Sequence, residues 1–393
     1  MNRFQTLLTG TVLLAGSALA LTSAHAADPV KVGVALSQSG NLADSAEHYK
    51  RAVELWRDQV NARGGLLGRP VELVLYDDRS DPATAARLYE RLITNDGVDL
   101  LVSPWGSAST ATATAVAEKH KRVMINGGGA SEKIHQRNFK YIFQTAAPIS
   151  AYVEGVGPVA EKFGLKTMSI ISRDYSAARD MEVALNKIAK DRNIKINQAE
   201  YFPAGTSDYS SYLAQAKQTN PDLWISVGYP NEAIEMVRQF RANNYLPKLF
   251  IHNGASIDDF VKAAGKDAEY AVGMSLYEPV LKTKGNAEFV KAYKDKFGSE
   301  PGYYSGFGYA AVTVLEEAVG KAGSLDQDKL RETLSTMETD TVLGHHKVDP
   351  KTGLQVGVKG LLVQIRNGKR EIIYPEELKT ADAVIPMPAW ANR

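Results

Sequence analysis

Short apolar runs recur along the first half of the chain, and each is followed by a segment with helical periodicity. The run 30–36 alternates apolar and polar residues and then loses its polar side, as a strand buried on both faces does. The next segment places Tyr49, Val53 and Trp56 on one side of a helix. The pattern predicts strands over 30–36, 71–76, 98–102, 122–126 and 140–144.

The same alternation begins again after residue 166. It predicts strands over 167–172, 194–202, 222–227, 248–251 and 270–276, two helices over 287–297 and 306–322, and a strand over 356–364 that returns to the second set. Strands that alternate with helices form mostly parallel sheets. We therefore predict an α/β protein with two doubly wound lobes and one cleft between them.

One predicted strand-to-helix turn concentrates small and hydroxyl residues. Trp105 and Ser107 lie between the strand 98–102 and a helix predicted over 111–119. Ligands of open α/β sheets sit at this edge, and the free N–H groups of a helix start suit a carboxylate. The alternative is that the hydroxyls of this turn only cap the helix.

The first residues have the pattern of a secretory signal peptide. A basic start at Arg3 precedes an apolar middle and the small-x-small site Ala24-His25-Ala26. The apolar run is too short to favour the alternative, a membrane anchor. We expect residues 1–26 to be removed by cleavage near Ala26 and the mature protein to be exported.

Charge and cysteine content exclude several classes of function. The 46 Lys and Arg residues nearly balance the 45 Asp and Glu residues, which gives no electrostatic case for nucleic acid or a membrane surface. The chain has 0 cysteines, so an exported form is held by its core and not by disulfides. No metal site, cofactor or catalytic residue is predicted.

Four segments resemble the leucine/isoleucine/valine-binding type of periplasmic solute-binding protein. They are Asn-Ala-Arg-Gly-Gly at 61–65, Tyr-Asp-Asp-Arg-Ser-Asp-Pro at 76–82, Gly-Ser-Ala-Ser-Thr at 106–110 and Gly-Tyr-Ala-Ala-Val at 308–312. The likeness extends in the same order over the whole mature chain. It implies two Rossmann-like lobes joined by three hinge crossovers, which close on a small ligand that an ABC importer then receives.

The resemblance also implies which residues bind the ligand. The carboxylate-binding hydroxyl falls on Ser107, and a second anion loop falls on 128–131, where Ala130 replaces a threonine and the hydroxyl would come from Ser131. Aromatic residues of the second lobe cover the ligand. The predicted ligand-binding residues are Trp105, Ser107, Gly128, Ala130, Ser131, Tyr175, Tyr229, Asn253 and Gly254.

Two departures from the family pattern bear on the ligand. The acid that would bind an ammonium group falls on Gly254, and the aromatic of the first loop falls on Ser45. A buried ammonium without a partner is costly, so we favour a small carboxylate with an apolar or aromatic body. Asp174 or Glu232 could replace the lost acid, which keeps amino acids open as an alternative.

Other motifs favour structural roles. The segment 155–160 fits a dinucleotide G-x-G-x-x-A pattern but lies within a helical pattern, so a dehydrogenase is not predicted. Arg173, Arg179 and His252 are predicted to lie on solvated faces, and the alternative for each is a position near the cleft mouth. A sensor of the same fold stays open as an alternative function.

We therefore predict a monomeric periplasmic receptor that delivers a small carboxylate to an ABC permease of the inner membrane. The first lobe is predicted to comprise 29–146 and 279–345. The second is predicted to comprise 147–278 and 346–393.

Overall fold

The computed structural model describes residues 28–393, so the predicted signal peptide lies outside the described residues. The first lobe is built on a five-stranded sheet with the order β2-β1-β3-β4-β5. Its strands are β1 (Val30–Leu36), β2 (Val71–Asp77), β3 (Leu100–Val102), β4 (Met124–Asn126) and β5 (Ile142–Gln144). All pair in parallel, since helices connect them: α1 (Ala43–Ala62), α2 (Pro82–Thr94) and α3 (Ser107–Lys119).

The second lobe is built on a seven-stranded sheet with the order β14-β13-β10-β9-β8-β6-β7. Its strands are β6 (Thr167–Arg173), β7 (Lys195–Phe202), β8 (Leu223–Ser226), β9 (Leu249–His252), β10 (Val272–Ser275), β13 (Leu361–Arg366) and β14 (Lys369–Tyr374). Its helices are α4 (Val156–Lys162), α5 (Ser176–Asp191), α6 (Ser210–Thr219), α7 (Pro230–Ala242) and α8 (Asp258–Ala264). The strand predicted over 356–364 is confirmed as β13, which pairs antiparallel with β10.

The chain passes between the two sheets three times. It crosses after β5, again between β10 and α9 (Asn286–Phe297), and finally after a hairpin of β11 (Thr339–Thr341) and β12 (Gly344–His346). Between the last two crossings lie α10 (Tyr303–Ala322) and α11 (Gln327–Thr336). The predicted α/β architecture with two lobes and three crossovers is therefore confirmed.

Helix α10 packs closely on α1. A Cβ atom on Gly308 would lie 2.5 Å from the backbone oxygen of Tyr49, so a glycine allows the two helices to approach. The buried residues Val312 and Leu315 continue the same face. This packing ties the long helix after the second crossing to the first lobe.

Within residues 28–393, no helix is long and apolar enough to cross a membrane. The same residues contain no group of three His, Asp or Glu side chains placed to hold a metal ion.

Candidate functional site

A cavity of about 320 Å³ lies between the lobes. The first lobe contributes the turns after β3 and β4 and the start of α10. The second lobe contributes the turns after β6, β8 and β9. Both sheets thus present the carboxyl ends of their parallel strands to one space, which is where open α/β sheets bind ligands.

The start of α3 forms one end of the cavity. Gly106 is the N-cap residue with φ 92°, and the helix begins at Ser107, four residues earlier than predicted. The backbone N–H of Thr110 already donates to the Gly106 oxygen at 3.0 Å. The N–H groups of Ser107, Ala108 and Ser109 have no backbone partner, as in any first helical turn, and all three residues line the cavity.

The Ser107 hydroxyl does not cap α3. It accepts a hydrogen bond from the backbone N–H of Ser131 at 3.2 Å. A hydroxyl that accepts one bond still has its own proton to donate. Ser107 can therefore donate to an anion held on the first turn of α3.

The glycine-rich loop after β4 offers fewer free N–H groups than the prediction assumed. The N–H of Gly128 donates to Ser103 Oγ at 3.1 Å, and that of Gly129 donates to Asn126 Oδ1 at 2.8 Å. Ala130 lines the cavity, and its N–H has no hydrogen-bond partner in the structure. Gly128 instead permits close packing, because a Cβ there would lie 2.0 Å from the Pro104 oxygen.

Ser131 differs from its predicted role. It is 3% exposed and does not line the cavity. Its hydroxyl donates to Asp180 Oδ2 at 2.5 Å, across the cleft on α5. The loop thus offers the ligand the Ala130 N–H, and the nearby hydroxyl is that of Ser107.

Aromatic side chains form the walls of the cavity in the first lobe. Trp105 is 9% exposed and meets Tyr304 edge to face, with ring centroids 4.8 Å apart. Tyr303 and Phe307 extend this wall, and the Tyr303 hydroxyl donates to that of Tyr152. Four of these aromatic residues line the cavity but were not among the predicted ligand-binding residues: Tyr152, Tyr303, Tyr304 and Phe307.

A signal for three of them existed in the sequence. Tyr303, Tyr304 and Phe307 have the i, i+1, i+4 spacing of one helix face, but the predicted helix began at residue 306. The earlier start of α10 brings them into the cavity.

Tyr175 and Tyr229 close the cavity from the second lobe. Their rings stack with centroids 6.1 Å apart and an interplanar angle of 26°. The Arg173 guanidinium, which does not line the cavity, lies 4.8 Å from the centre of the Tyr229 ring. Arg173 also pairs with Glu232 at 3.2 Å, and Glu232 accepts a hydrogen bond from the Tyr229 N–H.

Asn253 and Gly254 complete the second-lobe side. Asn253 Oδ1 accepts a hydrogen bond from the Gly228 N–H at 2.7 Å, and the Gly254 N–H donates to His252 Nδ1 at 2.9 Å. A Cβ on Gly254 would lie 2.6 Å from the Tyr229 carbonyl group. The backbone of Tyr229 therefore occupies the space that a side chain at 254 would need.

Two of the three residues predicted on solvated faces lie elsewhere. His252 is fully buried, and burial lowers its pKa from 6.5 to about 3. Arg173 is partly buried between Tyr229 and Glu232. Arg179 is exposed and pairs with Asp174 at 2.6 Å. The prediction was wrong for His252 and Arg173, because both side chains support the turns that carry Gly254 and Tyr229.

The cavity lining carries no charged side chain among the described residues. Asp174 and Glu232, the two acids considered as ammonium partners, are absent from it and are paired with arginines. Burial raises the pKa of the tyrosine hydroxyls of Tyr175, Tyr229 and Tyr304, so they stay neutral. An anion in this cavity would therefore meet N–H and hydroxyl groups and no positively charged side chain of residues 28–393.

Three comparisons relate the chain to known proteins. A family profile described as "Periplasmic binding protein" matches residues 29–369. The leucine-specific-binding protein of Salmonella typhimurium is 29% identical over 353 residues, which cover 88% of this chain and 93% of that protein.

Solved structures share the fold. A leucine-binding protein from Thermotoga maritima aligns with a TM-score of 0.77 at 23% identity, over 87% of this chain and 97% of that one. A solute-binding protein of an ABC transporter from Rhodopseudomonas palustris BisB5, in complex with 3,4-dihydroxybenzoic acid, aligns with a TM-score of 0.78 at 24% identity. That alignment covers 91% of this chain and 99% of the other.

Proposed function

The chain belongs to the periplasmic binding proteins, among the leucine/isoleucine/valine-binding type that serves ABC transporters, and from that premise we propose that it captures a small carboxylate with an aromatic or apolar body. It is a binding protein and not an enzyme. The proposed ligand is held with its carboxylate on the first turn of α3 and its body between the aromatic walls.

The observation that carries this proposal is the combination of an uncharged lining and a free set of donors. The N–H groups of Ser107, Ala108, Ser109 and Ala130, with the Ser107 hydroxyl, converge on one end of the cavity. A carboxylate bound there would meet donors that already lack partners, so it would displace no internal hydrogen bond. The fold can hold such ligands, since the protein from Rhodopseudomonas palustris is in complex with a dihydroxybenzoic acid.

A branched-chain or other amino acid is the second candidate. The name of the Salmonella typhimurium relative favours it. The lining weighs against it, because an α-ammonium group in this cavity would meet hydroxyl and carbonyl groups but no carboxylate. The aromatic or apolar acid is therefore preferred.

Two pairs of compounds test separately what a carboxylate and what an ammonium group contribute to binding. We expect benzoate to bind the purified mature protein and its neutral amide, benzamide, to bind at least ten-fold more weakly. Leucine and 4-methylpentanoate share a carbon skeleton and differ in the ammonium group, and we expect the acid without ammonium to bind more tightly. Tight binding of leucine alone would overturn the preference for an acid without ammonium.

Tryptophan fluorescence reports whether binding occurs in this cavity. Trp105 lines it, so Trp105→Phe should abolish the benzoate-dependent change, whereas Trp390→Phe, at a site outside the lining, should retain it. Ser107→Ala should raise the dissociation constant by about ten-fold, which is the usual worth of one hydrogen bond to a charged group. An unchanged response in both cavity variants would place the ligand elsewhere.

We also propose the cellular setting that the sequence indicates. The signal peptide directs export to the periplasm and is cleaved near Ala26, which leaves a monomer. There the two lobes close on the ligand, and the closed form meets an ABC permease in the inner membrane. The lobe limits 29–146 with 279–345, and 147–278 with 346–393, stay part of this proposal. Amino-terminal sequencing of the exported protein tests the first step, with Ala27 as the expected first residue.

A further inference from the structure

Asp180 reaches across the cleft although it does not line the cavity. It lies in the second turn of α5, the helix whose first residues Ser176 and Ala177 do line the cavity. Its side chain is 9% exposed, and Oδ2 accepts a hydrogen bond from the Ser131 hydroxyl at 2.5 Å. Its other oxygen lies 3.4 Å from the Lys133 ammonium group.

Both partners of Asp180 belong to the first lobe. Ser131 and Lys133 follow β4 in the loop that also carries Ala130. The backbone N–H of Ser131 donates to the Ser107 hydroxyl, which lines the cavity. One residue thus contacts the carboxylate-binding serine through its backbone and the opposite lobe through its side chain.

We propose that Asp180 and Ser131 form a latch that sets ligand affinity by holding the lobes together, without contact to the ligand. The inference rests on the proposed function, because it takes the two lobes to close on a ligand. The Ser131–Asp180 bond has a carboxylate acceptor and is shielded from water, which makes it the strong part of the latch. Lys133 is 63% exposed, so its ion pair adds little.

A latch of this kind has a distinctive signature in binding data. When the competent state is only partly populated, the apparent dissociation constant is the intrinsic value divided by the competent fraction. Loss of the latch lowers that fraction and so weakens every ligand by the same factor. A residue that contacts the ligand would instead change the ratio between two ligands.

The first test measures the lobes without any ligand. The chain has 0 cysteines, so spin labels can be placed at Lys119→Cys on the first lobe and Val183→Cys on the second, both exposed positions, with no native thiol to remove. We expect Asp180→Asn and Ser131→Ala each to shift the inter-label distances toward longer values. Asp191→Asn is the matched control, because Asp191 lies on the same helix and pairs with Lys187 within one lobe.

The second test measures affinity for two probes, benzoate and 4-methylpentanoate. We expect Asp180→Asn to raise both dissociation constants by about ten-fold with their ratio unchanged, and Asp191→Asn to change neither. The double variant Ser131→Ala/Asp180→Asn should be no weaker than Ser131→Ala alone, because Ser131→Ala already removes the donor of the bond, whereas an asparagine at 180 keeps an amide oxygen that can accept it.

The outcomes separate this inference from the proposed function. If the unmodified protein binds neither probe, the ligand class is wrong, and the distance distributions still decide the latch. If Asp180→Asn gives the same distances as Asp191→Asn, or changes the ratio of the two dissociation constants, the latch is refuted.

Discussion

At the scale of single residues, Gly254 shows how the second lobe excludes one kind of ligand contact. A Cβ there would lie 2.6 Å from the Tyr229 carbonyl group, so the backbone of that turn is fitted to the absence of a side chain. An acid at 254 would have to displace the residue that covers the cavity. The packing of this turn thus fits the glycine that departs from the family pattern.

We expect Gly254→Asp to lower the free energy of unfolding by about 1–3 kcal/mol, since the new Cβ forces a backbone shift. It should not confer leucine binding. Urea unfolding and calorimetric titration measure the two effects. Gly320→Asp is the control for adding a carboxylate, because a Cβ on Gly320 meets no atom within 4 Å. A stable Gly254→Asp protein that binds leucine would contradict the packing argument.

His252 is a second residue whose environment has a measurable consequence. Burial lowers its pKa from 6.5 to about 3, and its Nδ1 accepts a hydrogen bond from the Gly254 N–H. Below about pH 6.5 the unfolded chain therefore takes up a proton that the folded protein does not. The free energy of unfolding falls as pH falls through this window, by about 1.4 kcal/mol per pH unit from this histidine.

We expect His252→Gln to flatten the acid dependence of stability between pH 6 and pH 4. Urea unfolding at pH 7, 6, 5 and 4 measures the slope. His345→Gln is the control with the opposite sign, because hydrogen bonds to Asp340 and Glu338 raise the pKa of exposed His345. An unchanged slope in His252→Gln would mean that His252 binds a proton in the folded protein.

At the scale of elements, the start of α7 shows how a helix N-terminus positions an aromatic wall. Glu232 accepts a hydrogen bond from the Tyr229 N–H and pairs with Arg173, whose guanidinium packs on the Tyr229 ring. Glu232, which the sequence analysis considered as an ammonium partner, therefore has its carboxylate paired at the helix start. Tyr229 is thus positioned by two contacts, the hydrogen bond from its backbone N–H to Glu232 and the packing of Arg173 on its ring.

We expect Glu232→Gln to weaken benzoate binding several-fold and to lower the free energy of unfolding by about 1–2 kcal/mol, because it leaves partly buried Arg173 without its counter-charge. Titration calorimetry and urea unfolding measure these effects. Glu235→Gln is the matched control on the same helix, since Glu235 pairs with Arg238 on the surface. Equal effects of the two substitutions would show that Glu232 has no special role.

At the scale of the whole molecule, both lobes line the cavity, so a ligand bound there would contact both. Among the described residues, the lining includes residues of both lobes, which the chain joins by three crossings. A ligand that binds the folded protein and not the unfolded chain stabilises the folded protein against unfolding.

We expect benzoate at about a hundred times its dissociation constant to raise the free energy of unfolding by about 2.7 kcal/mol, with a higher melting temperature. Thermal unfolding followed by circular dichroism measures the shift. The same concentration of benzamide is the control and should give a much smaller shift. An equal shift from both compounds would indicate that the carboxylate is not recognised.

Local sequence patterns were sufficient to predict most of the strands and helices and the two-lobed architecture. Apolar runs alternating with helical periodicity predicted the parallel strands, because burial on both faces of a sheet imposes that pattern over a few neighbouring residues. The pattern also placed Trp105 and Ser107 after a strand, and the family resemblance added Tyr175 and Tyr229; the structure brings all four to one cavity. These features depend on local order along the chain.

Which polar groups lack a hydrogen-bond partner depends instead on tertiary contacts. Ser131 was predicted to offer its hydroxyl to the ligand, but Asp180 from the other lobe accepts it. The donors of Gly128 and Gly129 are taken by Ser103 and Asn126. The partner of a buried donor can come from a segment far away in the sequence. Such a donor is available to a ligand only where no other part of the protein accepts its hydrogen bond.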